Sequence, residues 1–362
     1  MELTASARSI PAIVHESAAA RGGQVVLRKK DHGIWKAESW AELEAHVRGV
    51  GGGLLAAGFG RGDAAAVLSE TRPEAVYADL AIQGAGGASI MLHPDDEGSR
   101  AAHILRTTGC RFIFVEDEEQ LDKILTIRDQ CPALARIVIT DMKGLRDFND
   151  NRCQSLASFV AAGDPSGWEQ SLAAIAPENP AIMLFPAGAA APMARVMSHG
   201  DVARMITEAH GILELRAGDE RLAVLRMADV TERIFGLYAA LRAGVVSNYL
   251  ESPETATENL QQLQPTVFGA DGEAWERLHA RITRAADAAT SVQRTLYRWA
   301  VAAGSRGGAM AGLANFLVLR AVRRELGLAR VRLAYVGETD LGPELETWAG
   351  ALGIAIRRLR EN

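Results

Sequence analysis

The feature that most constrains the fold of this 362-residue chain is an alternation of short, largely apolar runs with helical patterns. Ala64–Leu68, Ser89–Leu92, Phe112–Val115 and Ile137–Thr140 are apolar on both faces, as strands covered on both sides must be. Between them lie helix signals. Ser39 and Glu42 form a capping box ahead of Leu43, Val47, Val50 and Leu54, and Gly58 suits the stop. Pro73 fits the first turn of a helix carrying Val76, Tyr77 and Leu80. Further helical patterns occupy 98–108 and 117–129. Val25–Arg28 and Gly33–Lys36 read as a hairpin around Asp31-His32-Gly33. A second alternation follows: strand 181–185, helix 200–214, strand 221–225, helix 231–242, strand 245–249, helix 254–263 and strand 266–269. Residues 273–326 read as mostly helical, Val331–Val336 as a strand, 342–351 as a helix and Ile354–Ile356 as a last strand. The expected class is α/β with parallel, doubly wound sheets. Residues 1–150 are expected to form a first subdomain, 151–180 a loop-rich connector and 181–362 a second subdomain.

Composition excludes several function classes. A formal net charge of −6 with no basic tail argues against a nucleic-acid binder, which needs a cationic surface. Cys110, Cys131 and Cys153 form no C-x-x-C pair, so reduced thiols in a cytoplasmic protein are expected. The histidines show no metal-binding spacing, and no metal is expected. No secretory signal is evident at the N-terminus. Gly49-Val50-Gly51-Gly52-Gly53 lacks the order of a dinucleotide fingerprint and is read as a site of close helix packing. Gly308 and Gly312 make a G-x-x-x-G match outside any membrane-length run.

Several segments, in order, resemble the long-chain acyl-CoA synthetase branch of the adenylate-forming (AMP-binding) superfamily. Gly60-Arg61-Gly62-Asp63 followed by Leu68-Ser69-Glu70-Thr71-Arg72-Pro73-Glu74 is similar to the family's G-x-G-D…L-S-E-N-R-P-E. Phe114-Val115-Glu116-Asp117 with Gln120-Leu121-Asp122-Lys123 resembles F-V-E-D…Q-L-D-K. Arg233-Ile234-Phe235-Gly236-Leu237-Tyr238 follows a family-like Asp229-Val230-Thr231-Glu232. Glu251–Thr255 and Pro265–Phe268 resemble E-x-P-E-T…P-T-V-F, and Trp275-Glu276-Arg277 resembles W-E-K. The resemblance implies two stacked doubly wound subdomains of an adenylate-forming N-domain. It stops before the family's Y-G-x-T-E motif, whose Glu helps hold Mg²⁺, so the C-terminal lid domain, its Lys and the ribose-binding Asp are expected to be absent.

The resemblance also locates a degenerate phosphate loop. Family members carry approximately Y-T-S-G-T-T-G-x-P-K-G-V, followed by Ser-His or Thr-His. Here Pro186 is followed by Ala187 at the Ser, Gly188 at the retained Gly, Ala189 and Ala190 at two Thr, and Ala191 at the next Gly. Ala194 falls at the Lys, with Arg195 beside it and Ser198-His199 beyond. In the acyl and adenylate pocket, Asp229 replaces a family His. Gly337-Glu338-Thr339-Asp340 replaces S-G-G-A-P, with carboxylates that would repel phosphate. Glu232 matches a family Glu and is read as a structural ion-pair partner.

Adenylation joins two anions, so it requires oriented donors and positive charge. With the hydroxyls and ammonium gone, the expectation is an acyl-CoA-synthetase-like pseudoenzyme with no catalytic residues, no required cofactor and weak or absent ATP/Mg binding. The alternative is an active AMP-forming fatty acid–CoA ligase, alone or completed by a partner chain. Expected partners are a protein or second copy on a surface left open by the absent lid, or an acyl chain or acyl-CoA. Peripheral membrane attachment through 291–326 is weighed against an ordinary core-packing helical pair, which is preferred.

Overall fold

The structure is a computed structural model and describes residues 9–186, 188–189, 191–337 and 341–359. Among these, the strands are β1 (Val25–Asp31), β2 (Ile34–Ser39), β3 (Ala64–Leu68), β4 (Ala88–Leu92), β5 (Phe112–Val115), β6 (Arg136–Ile139), β7 (Cys153–Ser155), β8 (Pro180–Leu184), β9 (Arg195–Ser198), β10 (Glu220–Ala223), β11 (Val246–Tyr249), β12 (Val267–Gly269), β13 (Leu333–Val336) and β14 (Ile356–Arg358). They form two sheets, ordered β7-β6-β5-β3-β4-β8-β9 and β14-β13-β12-β10-β11-β1-β2. Strands β7 to β8 of the first sheet are parallel, and β9 returns antiparallel on β8, placing Arg195 opposite Leu184. Strands β14, β13, β12, β10 and β11 are likewise parallel neighbours. The α/β alternation read from the sequence is therefore present twice. His32 (φ 47) and Gly33 (φ 77) join β1 to β2, and both take the left-handed conformation that a two-residue type I′ turn demands.

The chain divides into two compact units. The first comprises the residues up to Arg28, Lys36–Glu208 and Arg226–Arg242; the second comprises Lys29–Trp35, Ala209–Leu225 and the residues from Ala243 onward. In the first unit, Leu68, Ile90, Ile113, Val115 and Ile137 from the sheet pack with Ile104, Leu121 and Ile124 from its helices. The glycine run lies in the helix Trp40–Ala56 and is a packing seam. A Cβ on Gly51 would lie 2.2 Å from the Trp168 ring, one on Gly53 2.6 Å from Phe159, and one on Gly84 2.1 Å from Trp168. The bare backbone is what admits these two aromatic side chains.

The segment Arg226–Arg242 belongs to the first unit although it follows Glu208 by a long excursion. A sealed charge ties it there. Arg233 and Asp79 are both fully buried and form an ion pair. Tyr238 Oη donates to Asp79 Oδ2 at 2.6 Å and accepts from Arg233 Nε at 3.0 Å and from Gln83 Nε2 at 2.8 Å. Ser89 Oγ donates to Asp79 Oδ1 at 2.6 Å. The predicted plain helix over 231–242 is π-helical from Thr231 to Tyr238. Residues five apart lie roughly 140° around an α-helix, whereas i→i+5 bonding stacks them. The wider turn is what lets Arg233 and Tyr238 meet the same carboxylate.

In the second unit, Trp275 is fully buried against Phe268, with ring centroids 5.2 Å apart, and Leu222, Leu260, Leu326 and Trp348 complete the cluster. The helical stretch resolves into Gly272–Ala288, Ser291–Arg306, Gly308–Ala314, a π-helical turn at Asn315–Leu319, and Arg320–Leu326.

Some elements differ from the sequence reading. Helix Ile10–Arg21, capped by Ser9 Oγ accepting from Ala12 N at 3.3 Å, has no counterpart there. Neither does β9. The 151–180 stretch carries β7 and the helices Leu156–Ala161 and Trp168–Ala173, whose Phe159 and Trp168 fill the glycine seam. The last strand lies at Ile356–Arg358 rather than Ile354–Ile356.

Two substitutions rank these constraints in equilibrium urea unfolding. Asp79→Ala leaves a buried guanidinium uncompensated and is expected to cost about 3–5 kcal/mol. Gly51→Ala overpacks the seam and is expected to cost about 1–3 kcal/mol. Equal, near-zero losses would contradict both assignments.

Candidate functional site

In open α/β sheets ligands settle beyond the carboxyl ends of the strands. In the first unit those ends present Ser69 and Glu70 after β3, His93 to Asp96 after β4, Glu116 after β5 and the 185–194 loop after β8. Gly188 in that loop has φ 76, and nothing lies within 4 Å of where its Cβ would stand. Glycine is retained there for its conformation, not for a close approach. Pro186, Gly188, Ala189, Ala191 and Ala194 are exposed, as is Arg195 at the start of β9. Ala187 and Ala190 lie outside the described residues.

The loop is held by its carbonyl oxygens. Arg100, on the helix Gly98–Thr107, donates from Nη1 to Ala189 O and from Nη2 to Phe185 O at 3.4 Å. Its Nε donates to Asp96 Oδ1 at 2.9 Å. His103 Nε2 lies 3.3 Å from Pro192 O, and because a carbonyl can only accept, this nitrogen carries the proton. Pro186 and Pro192 have no N–H to offer.

The neighbouring cations are similarly committed. Glu116 accepts from Arg72 Nη1 at 2.7 Å, from Glu70 N at 2.7 Å and from Ser69 Oγ at 3.1 Å. Arg72 also pairs with Glu74 at 2.7 Å. Burial opposes the Arg72 charge, but the two carboxylates outweigh it and raise the pKa above its ordinary value. Lys123 Nζ donates to Pro94 O. Arg226 pairs with Asp95 at 3.3 Å. His93 Nδ1 lies 3.3 Å from Asp95 and Nε2 lies 3.7 Å from Glu70. Acidic groups at this rim thus claim most of the positive charge beside the loop.

Of the remaining predicted positions, Asp229 and Glu232 belong to the first unit and Gly337 to the second. Asp229 is exposed, and its backbone N–H donates to Arg226 O at 2.9 Å. Glu232 is fully buried in the π-helical turn. Gly337 follows β13 and is half-buried, while Glu338, Thr339 and Asp340 lie outside the described residues. Sequence reasoning missed Arg100, His103 and the Asp79–Arg233–Tyr238 network. Lone charges inside otherwise apolar runs, such as Asp79 in Tyr77–Ala81, were the available signal. Among the described residues no group of three or more His, Cys, Asp or Glu is arranged to hold a metal. Burial pushes the Cys110 thiol up to about 12 and, with Asp150, the Cys153 thiol up to about 11, so neither is a nucleophile at neutral pH.

The second unit contains a cavity of about 570 Å³, between the helices Gly272–Ala288, Ser291–Arg306 and Pro343–Ala351. Its wall includes Thr283, Ala286, Tyr297, Val301 and Trp348. Trp348 Nε1 donates to Tyr297 Oη at 3.1 Å and fixes one side.

A family model described as AMP-binding enzyme matches residues 14–359. The long-chain-fatty-acid–CoA ligase ACSBG2 of Xenopus laevis is 21% identical over 374 residues, covering 97% of this chain and 50% of that protein. The chain therefore spans about half the length of that curated relative. Among solved structures, the adenylation domain of a carboxylate reductase from Mycobacterium chelonae matches with a TM-score of 0.77 at 17% identity, over 98% of this chain and 57% of that one. The N-terminal domain of FACL13 from Mycobacterium tuberculosis matches with a TM-score of 0.69 at 14% identity, over 97% and 75%. The fold expected from the sequence is the one these structures share.

His199, next to the loop's distal end, provides a pH-dependent handle. It is 2% exposed, and burial lowers its pKa from 6.5 to about 4. Between these values the unfolded chain takes up a proton that the folded chain refuses, so stability falls as pH drops through that window. The contribution is at most about 3 kcal/mol, at 1.36 kcal/mol per pKa unit. Urea unfolding at pH 7 and pH 4.5 should show a loss in the native chain that His199→Gln reduces.

Proposed function

Because this chain belongs to the AMP-binding enzyme family, we propose that it is a member whose nucleotide site has lost the means to adenylate and that it acts by binding in fatty-acid or acyl-CoA metabolism. The observation that carries this reading is the β8–β9 loop. From Phe185 to Ala194 it offers no hydroxyl and no ammonium. Its described contacts turn carbonyl oxygens, not N–H donors, toward Arg100 and His103. A carbonyl lining repels phosphate oxygens, and the guanidinium best placed to counter that is already divided among Asp96, Phe185 and Ala189. Removing a single preorganised donor to a developing anion lowers a rate by about 10²–10³. Here several are replaced together. The residues present do not fit a magnesium-bound triphosphate.

The ligand this reading leaves is an acyl chain or acyl-CoA. The cavity beside Tyr297 and Trp348 supports it, since about 300–1,000 Å³ is the usual size of a small-molecule pocket. A second reading, an active AMP-forming fatty acid–CoA ligase working alone or with a partner chain, is favoured by one observation. Gly188 keeps a left-handed φ of 76, and Arg195 stands exposed at the end of the same loop.

Calorimetric titration separates the two. ATP·Mg is expected to bind with Kd weaker than about 1 mM, corresponding to less than about 4 kcal/mol. Palmitoyl-CoA is expected to bind in the same buffer. Restoring the missing groups by Ala189→Thr and Ala194→Lys should tighten ATP by about tenfold or more, as charge-assisted hydrogen bonds contribute about 1.5–3 kcal/mol each. Micromolar ATP affinity in the unaltered chain would overturn the proposal.

A further inference from the structure

Between Asp287 and Glu325 the sequence contains no acidic residue and no lysine, but it has six arginines: Arg294, Arg298, Arg306, Arg320, Arg323 and Arg324. This local excess of positive charge occurs in a chain whose formal net charge is −6. The structure folds the stretch as a helical hairpin, with Ser291–Arg306 packed against Gly308–Ala314 and the π-helical turn Asn315–Leu319. Gly307 (φ 75) and Gly308 (φ 78) make the reversal, which other residues would resist.

The hairpin has two faces. Ala300, Ala303, Ala314, Leu319 and Leu326 enter the core of the second unit, and Tyr297 and Trp299 pack against it. The other face keeps its large apolar side chains outside: Val292 (74% exposed), Leu296, Met310, Leu313, Phe316 (74%) and Leu317. Val292 and Leu296 are four residues apart, on one side of their helix. Met310 and Leu313 lie three apart in one helix and Arg320 and Arg324 four apart in the next, with Phe316 and Leu317 exposed on the π-helical turn between them, so apolar and cationic groups are interleaved along the exposed side. Core packing therefore accounts for only part of this stretch.

Most of these charges also lack a described carboxylate partner. Arg298 pairs with Asp287 at 3.1 Å, and Arg323 donates to Asn315 Oδ1 at 2.9 Å. Arg306, Arg320 and Arg324 form no ion pair with a described carboxylate. Partial burial, and secondarily the neighbouring Arg320 guanidinium, lower the Arg323 pKa below its ordinary value.

We propose that this face of the 291–324 hairpin docks flat on an anionic lipid surface, with Phe316, Leu317, Met310, Leu313 and Leu296 entering the headgroup boundary and the flanking arginines meeting lipid phosphates. Short amphipathic helices that carry basic residues beside exposed Phe, Leu and Met bind membranes in this manner. A second copy is a poorer occupant, because a two-fold contact would set arginine against arginine. No described helix is long and apolar enough to cross a membrane, so the attachment is peripheral. The proposal does not depend on whether the nucleotide site is active.

The test is co-sedimentation of the whole chain with vesicles of phosphatidylcholine alone and of phosphatidylcholine with 30% phosphatidylglycerol. The expected result is preferential partition onto the anionic vesicles, falling steeply from 0.1 to 0.5 M NaCl as the Debye length shrinks. Arg306→Ser, Arg320→Ser and Arg324→Ser together should weaken partition about a hundredfold, at about fivefold per arginine near an anionic surface. Phe316→Ser with Leu317→Ser should lower it on both vesicle types. All these side chains are exposed, and an unchanged urea midpoint certifies the fold. Equal partition onto both vesicle types would overturn the proposal. So would full retention of binding by the double variant, or absence of pelleting together with self-association that the same substitutions abolish.

Discussion

The first unit is organised around a charge that has no access to water. Arg233 is fully buried, and such a guanidinium is tolerable only beside a matched carboxylate. Asp79 provides that match, and Ser89 and Tyr238 occupy the carboxylate's other positions. The consequences extend outward from this pair. It commits Arg226–Arg242 to the first unit, it requires the π-helical turn that aligns Arg233 with Tyr238, and it anchors the segment whose start places Arg226 beside Asp95 at the crevice rim.

The crevice keeps the fold of a binding site while differing in the groups it presents. Its strands, turns and retained glycine are those of a ligand-binding α/β site. Its cations are nevertheless spent internally, Arg72 on Glu74 and Glu116, Arg100 on Asp96 and two carbonyls. Positive charge held by the protein's own acids contributes little field to an incoming anion. On the 291–324 hairpin, Arg306, Arg320 and Arg324 have no described carboxylate partner and stand among exposed apolar side chains.

Much of this was legible in the chain. Runs such as Phe112–Val115 can be buried on both faces only as strands between helices, and they are strands. The glycine run could be read as a packing seam because its order is wrong for a phosphate. What was not visible was the identity of the groups that fill the seam, Trp168 and Phe159, since they arrive from a stretch whose local signals read as loop. Strand β9 was hidden for a related reason: Arg195–Ser198 is a strand only because β8 offers it an edge. Of the site, the depleted loop was evident from composition. Its backbone orientation, with carbonyls drawn toward Arg100 and His103, could not be read from residue types.

Sequence alone determined the α/β class, the positions of most strands and the absence of hydroxyl and ammonium groups from the β8–β9 loop, because each follows from local pattern or from which atoms are present at all. Tertiary structure decided which charges neutralise one another and which remain exposed. Asp79 and Arg233 are 154 positions apart, and Arg100 reaches Ala189 across 89. Pairings over such distances leave no periodicity in the chain; they exist only once packing removes water from one side of each group.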